Sequence, residues 1–218
     1  MSLGKTLLVV FGILVAIVVV IGVSVSGIYN RLVSLQQGSD AAWAQVQNVY
    51  QRRADLIPNL VSTVQGAANF EKSTLQQVVE ARASVGQVKV SPSTAPTDPQ
   101  QLARFEQAQA QLGSALSRLL VVSERYPQLR ATEGFQQLQI QLEGTENRIT
   151  VERRNFNEAV QAYDTAIRRF PAVILAGMFG FTARPYFSAT PGSERPPQVK
   201  FDFGQTAPAV PATTGSTP

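Results

Sequence analysis

Gln51-Arg52-Arg53-Ala54-Asp55-Leu56-Ile57-Pro58-Asn59-Leu60-Val61 places two arginines, an aspartate and a proline inside a run that otherwise reads as helix. Trp43, Val46, Tyr50, Arg53, Ile57, Leu60, Val64 and Ala67 step by three and four through it. That spacing puts one stripe along one helix face. The phase passes Pro58 without resetting. Proline has no N–H, so the carbonyl of Ala54 loses its helical partner. Two readings follow. One is a kink within a single continuous helix. The other is a turn between two helices, with Asp55 capping the second. In either, Arg53, Ile57 and Leu60 lie on the packing stripe, and Arg52, Asp55 and Asn59 are free to face outward or toward neighbours. Arg52, Arg53, Asp55, Pro58 and Asn59 therefore form a candidate kink and interaction motif.

Upstream, Thr6 to Asn30 carries no charged residue. At 1.5 Å per residue, about 20 apolar residues cross a hydrocarbon core of about 30 Å. A secretory signal has an apolar region of only about 7–15 residues. The longer run here predicts a short N-terminal segment, 1–5, and an uncleaved anchor in the lipid bilayer over 6–28. Lys5 and Arg31 flank it evenly, so the positive-inside rule decides little. Tyr29 suits the membrane interface. Read as a signal anchor, the segment leaves the bulk of the chain outside the cytoplasm.

Downstream, Val78, Ala81 and Val85 keep the same phase, predicting one helix of about 55 residues beyond the membrane, about 80 Å long. Val85 to Pro99, with Gly86, Pro92, Pro96 and several Ser and Thr, reads as a flexible connection. Asp98-Pro99 is a helix start: an N-cap followed by proline at the first helical position. A second stripe follows at Leu102, Phe105, Gln109, Leu112, Leu116, Leu119 and Tyr126, interrupted by Pro127. A third runs from Phe135 through Leu138, Leu142, Thr145, Ile149, Glu152, Phe156, Ala159, Tyr163 and Ala166 to Phe170, and Pro171 ends it. Three amphipathic helices make an all-α bundle. Their lengths do not tile, and Trp43, Val46 and Tyr50 are costly to leave in water. The expectation is that the membrane-proximal half packs against a second copy, giving a homo-oligomer.

Ala172 to Phe181 is apolar and too short to span a bilayer. Three readings stand: a cap on the bundle, a segment dipping into the bilayer surface, or a partner site. Residues 191–218, rich in Pro, Thr and Ala, read as a disordered tail. Within the tail, Val199-Lys200-Phe201-Asp202-Phe203 alternates like a strand.

The chain of 218 residues has no cysteine and no histidine. Thiol chemistry, disulfides, Cys/His zinc sites and the usual general base are excluded. Charged residues make up 16% of the chain, against about 25% in typical globular domains. The net charge of +4 comes without an Arg/Lys cluster interleaved with aromatics, so no nucleic-acid partner is expected. Arg53, Gln109 and Glu152 are polar residues on apolar stripes. Meeting at one level, they form a polar core layer, a register device in helical bundles. Glu143 and Glu146 share a helix face, but without a histidine they make no bundle-type metal centre. The pairs Arg52-Arg53, Arg153-Arg154 and Arg168-Arg169 read as salt bridges or exposed charge, and the last has lipid phosphate as an alternative ligand. No catalytic, cofactor-binding or metal site is expected, and no cofactor.

The chain resembles the LemA family of bacterial membrane-anchored helical proteins from about Gly27 to Phe187. The residues that carry the likeness are Tyr29-Asn30-Arg31-Leu32-Val33, Ala42-Trp43, the Gln51–Val61 stretch with Val64 and Gly66, then Glu71, Leu75 and Ala81-Arg82. Tyr126-Pro127-Gln128-Leu129, Leu142 to Ile149, Asn155-Phe156-Asn157, Phe170-Pro171, Gly180-Phe181 and Tyr186-Phe187 complete it. Phe70 stands where many relatives have histidine, and Phe156 and Asp164 replace tyrosine and asparagine. The resemblance implies an antiparallel bundle over 29–190 behind a single-pass anchor in the bacterial cell membrane. It implies no agreed enzymatic activity, and it links some relatives to the shaping of internal membranes. The function expected is a non-enzymatic scaffold that self-associates or organises an as yet unknown protein partner. The alternative is a monomeric extracytoplasmic adaptor.

Overall fold

The computed structural model describes residues 3–66 and 70–188. The expected tail at 191–218, with its strand-like island at 199–203, lies outside the described residues. Six helices occur in order: α1 Leu3–Gln65, α2 Lys72–Gln87, α3 Pro99–Ser123, α4 Pro127–Arg130, α5 Glu133–Arg168 and α6 Ala172–Phe179. No strand is present among the described residues, and the fold is all-α.

Helix α1 is continuous for 63 residues, about 95 Å, with Pro58 inside it. Of the two readings of Pro58, the single helix is the one found. Its neighbour supplies the missing bond: Arg82 on α2 donates from Nε to the Ala54 carbonyl at 3.1 Å. The acceptor that proline orphans is therefore used from outside the helix.

The expected 55-residue helix to Val85 is corrected. Helix α1 stops at Gln65, and α2 begins at Lys72. Heptad phase does not distinguish one helix from two in register, whereas Gly66 and Asn69 are turn-forming residue types. Helix α2 runs back along the bundle, placing Arg82 beside Ala54 and the following segment beside Trp43 and Asp40. Helix α3 then runs parallel to α1, and α5 antiparallel to it. The result is an up-down-up-down arrangement. The part of α1 beyond Tyr29 is about as long as the 36-residue α5, so the lengths tile after all.

The core has three tiers. Farthest from the apolar N-terminal run, Ile57, Leu60 and Val64 of α1 meet Leu112, Leu116 and Leu119 of α3 and Phe135, Leu138 and Leu142 of α5. Trp43, Val46 and Tyr50 form the middle tier with Phe105, Ile149, Phe156 and Phe187. Leu32 meets Tyr163, Ile167 and Ala176 in the third. Trp43 and Val46 are wholly buried, and Tyr50 is 5% exposed. Cover for this face thus comes from the chain itself, which removes the reason for expecting a second copy there.

The segment between α2 and α3 is also corrected, from flexible connection to packed strap. Trp43 donates from Nε1 to the Ser91 carbonyl at 2.8 Å. The backbone N–H of Ala95 donates to Asp40 Oδ1 at 2.8 Å, and Ala95 is 2% exposed. Proline and glycine removed the helical period that makes burial readable. The start of α3 follows the expected rule: Asp98 accepts from the Gln100 N–H at 2.9 Å, with Pro99 at the first position.

Candidate functional site: two arginine layers and an apolar end

Arg53 is buried at the centre of the bundle, 3% exposed, while Arg52, Asp55, Pro58 and Asn59 face outward. Asp55 accepts from Gln51 Nε2 at 2.8 Å. The five residues of the motif thus divide into one core cation and four surface positions.

The Arg53 guanidinium spans three helices. Nη2 donates to Gln109 Oε1 at 2.5 Å and to the Gln109 carbonyl at 3.1 Å. Nη1 meets Glu146 Oε2 at 2.9 Å. The expected layer of Arg53, Gln109 and Glu152 is therefore corrected in its third member. Glu152 is half-buried and accepts from Asn155 Nδ2 at 3.1 Å. It lies about 9 Å further along α5 than Glu146, beyond the reach of this layer. Glu146 is off the apolar stripe and its side chain is 61% exposed. A long carboxylate at the rim reaches inward to the cation and keeps most of its hydration. Tyr50 lies against the guanidinium, 5.1 Å from carbon to ring centroid. Burial pushes the Tyr50 phenol above its ordinary pKa, outweighing the opposite pull of Arg153 and Arg53.

A second layer closes the half nearest the apolar N-terminal run, built around a residue that sequence reasoning missed. Beyond α6 the chain turns back as an extended strap, Phe181 to Ser188. Gly180 makes this turn in the left-handed conformation, φ +76°, which glycine adopts without strain. Arg184 on the strap is 4% exposed. Its Nη1 pairs with Asp40 Oδ1 at 2.8 Å, donates to the Gln36 carbonyl at 3.3 Å and contacts Ser39 Oγ. Its backbone N–H donates to the buried Asp164 Oδ1 at 3.1 Å. The Tyr163 ring lies 5.4 Å from the guanidinium, and burial raises that phenol too. Three residues on, Phe187 enters the aromatic tier, 6.0 Å from Trp43 and 5.4 Å from Phe156 by ring centroid. Asn157 holds both backbone groups of Phe187, at 2.9 and 3.1 Å. Arg153 covers the outer face of that ring at 4.6 Å while pairing with Glu106 at 2.8 Å. The available signal was Asp164 beside Tyr163 on the α5 stripe: a buried carboxylate asks for a cation from elsewhere in the chain.

The chemistry of both layers is cohesive. Asp40 and Asp164 are both engaged by Arg184, and burial raises the Tyr50 and Tyr163 phenols above their ordinary pKa. Glu143 accepts from Gln139 at 3.0 Å while Glu146 pairs with Arg53, so these carboxylates do not act together. Among the described residues no group of three or more His, Cys, Asp or Glu side chains converges to hold a metal ion. One helix among the described residues, α1, is long and apolar enough to cross a membrane, and its apolar part is unpacked.

The sequence profile of the LemA family matches residues 42–201. The chain is 27% identical over 191 residues to magnetosome protein MamQ of Magnetospirillum gryphiswaldense, covering 78% of this chain and 70% of that protein. It is 26% identical over 185 residues to magnetosome protein MamQ 2 of Paramagnetospirillum magneticum, covering 77% and 67%. Protein LemA of Metamycoplasma hominis is 23% identical over 141 residues, covering 65% and 60%.

Proposed function

The chain belongs to the LemA family, and on that premise we propose that it is a non-enzymatic, membrane-anchored scaffold. It holds a stiff helical bundle at a fixed attitude to the bilayer and organises protein partners, further copies among them, around that bundle. The observation that carries this reading is the continuity of α1 from the apolar run at its start to Gln65 in the farthest tier. A hinge between membrane and bundle would let the bundle tumble. A single helix passes the orientation of one to the other. The two arginine layers support the same reading, because they fasten α1, α3, α5 and the C-terminal strap into one body. The names of the magnetosome relatives agree with work at a specialised bacterial structure. Burial of Trp43, Val46 and Tyr50 moves any assembly to surfaces other than the first stripe.

Crosslinking in native membranes followed by native mass spectrometry tests the proposal. A discrete assembly, of copies or with a constant partner, is expected. A monodisperse monomer from which no protein copurifies overturns it. A flexible Gly-Ser insertion after Gly27 is expected to leave the bundle folded and disperse the assembly. An assembly indifferent to that insertion removes the role given to continuity.

A further inference from the structure

We propose that α6 is a second, interfacial membrane contact, lying in the headgroup region of an anionic bilayer beside the point where α1 leaves it. This rests on the reading of the apolar part of α1 as a membrane anchor.

Helix α6 is apolar on all sides, yet only one side is packed. Ala176 is buried against Leu32 and Ile167. On the opposite side Ile174 and Met178 are 57% and 74% exposed, Phe179 at the end of the helix is 51% exposed, and Phe170, just before the helix, is 81% exposed. A solvent-facing helix carries a polar face, so an apolar patch of this kind marks a contact. The position of the patch names the occupant. Tyr29 lies at the end of the uncharged run of α1, about 30 Å from Leu7, and its ring packs edge-on against Phe179 at 5.1 Å and Phe181 at 5.8 Å. The exposed face of α6 thus continues the exposed apolar surface of α1 at the depth where lipid headgroups begin. Whatever surrounds the end of α1 also reaches α6.

Charge favours anionic lipid. Arg31, Arg168 and Arg169 are exposed around this end of the bundle. Arg168 keeps a side chain 71% exposed, with a long contact of 3.7 Å to Asp164. Cationic side chains beside an apolar helix face are the composition of an interfacial helix, and each adds attraction to an anionic surface.

The absence of native cysteine makes a direct test available. Single-cysteine variants of the full chain, Met178→Cys, Val15→Cys and Ile140→Cys, carry an environment-sensitive fluorophore. Each is reconstituted in phosphatidylcholine vesicles with and without phosphatidylglycerol, and quenched by shallow spin-labelled lipid or by aqueous iodide. Val15 reports the anchor, and Ile140, 68% exposed on α5 and far from this end, reports solvent. The expected result is lipid quenching at Met178, several-fold above that at Ile140, which rises with phosphatidylglycerol and falls in Arg168→Gln/Arg169→Gln. Iodide quenching of Met178 equal to that of Ile140 overturns the proposal while Val15 still reports lipid. Shielding of Met178 from both quenchers means a protein occupant and overturns it equally. Lipid quenching at Met178 indifferent to phosphatidylglycerol and to the arginine changes overturns the choice of anionic lipid. Loss of lipid quenching at Val15 itself overturns the anchor reading and this one with it.

Discussion

Arg53 and Arg184 are both buried arginines in a helical bundle, and they do different work. Arg53 stands on a continuous helix and reaches sideways to Gln109 and Glu146 on two others. Glu146 is mostly in water, so the layer is open at one edge. Arg184 stands on a strap without helical structure, and its partner Asp40 is only 13% exposed. The first arginine sets the level at which three preformed helices meet. The second fastens a segment that has no regular structure to hold it. A helix dock tolerates a weak pin because apolar tiers on both sides already align it. A strap depends more on each anchor it has.

The largest effect should come from Arg184→Met. Removing one partner of a buried pair leaves the other charge uncompensated, at a cost of about 3–5 kcal/mol. Asp40 would be left so. Urea unfolding of the full chain in detergent, followed by emission from its single tryptophan, Trp43, should shift by that amount. Arg184→Lys keeps the charge but not the fork, and should recover part of the loss. A cost for Arg184→Met no greater than that for Arg53→Met would end the comparison.

Phe187→Ala comes next. It empties a place in the aromatic tier against Trp43 and Phe156, and Phe-to-Ala core changes cost about 3–5 kcal/mol. The lower end, about 3 kcal/mol, is expected because the strap has freedom to close over the space. Hydrogen exchange should locate the damage. Amides near residues 181–188 should lose protection while the distal Ile57–Val64 tier keeps it. Uniform loss along the bundle would mean that the strap is not a separate fastening.

Arg53→Met should cost less, about 1–3 kcal/mol, the range for leaving a buried polar partner unsatisfied. Glu146 returns to water and only Gln109 is stranded. In the double-mutant cycle Arg53→Met with Glu146→Gln, a coupling of about 1 kcal/mol or less is expected, because the pair is half in solvent. A coupling several times larger would show that the exposed carboxylate is held as firmly as Asp40, and the contrast between the layers would fail.

The same contrast explains what could be read from sequence. Arg53, Ile57 and Leu60 were legible as inward-facing because a helix repeats every three or four residues, and polar exceptions stand out against the repeat. Gln109 was found by the same rule. Glu146 was not, because a long side chain reaches the core from a position off the stripe. Arg184 and Ala95 were invisible to periodicity, since each stands on a strap with no period to break, and Asp40, although on α1, takes its partners from those straps. The α1–α2 boundary failed for the opposite reason: the phase survived the turn, so the pattern looked unbroken. Two of the family-like elements, Ala81-Arg82 and Tyr186-Phe187, turn out to carry contacts that no local pattern predicts.

The smallest effect belongs to the stretch around Pro58, and it tests whether Arg82 serves that proline. A backbone carbonyl left without its helical donor gains from any replacement, and a typical hydrogen bond is worth about 0.5–1.5 kcal/mol net. Arg82→Met should therefore destabilise the parent chain by about 1 kcal/mol. In Pro58→Ala the new N–H of residue 58 reaches the Ala54 carbonyl from within the helix. The arginine then competes for an acceptor already used, and Arg82→Met should cost only about 0.3 kcal/mol in that background. Unfolding midpoints of the two single variants and the double variant give the coupling directly. Equal costs of Arg82→Met in both backgrounds would show that the guanidinium acts through α2 packing alone. A reduced cost would show that proline in α1 creates the acceptor by which α2 is tied to it. The proline would then act in this fold by making a binding place for its neighbour on an otherwise self-sufficient helix.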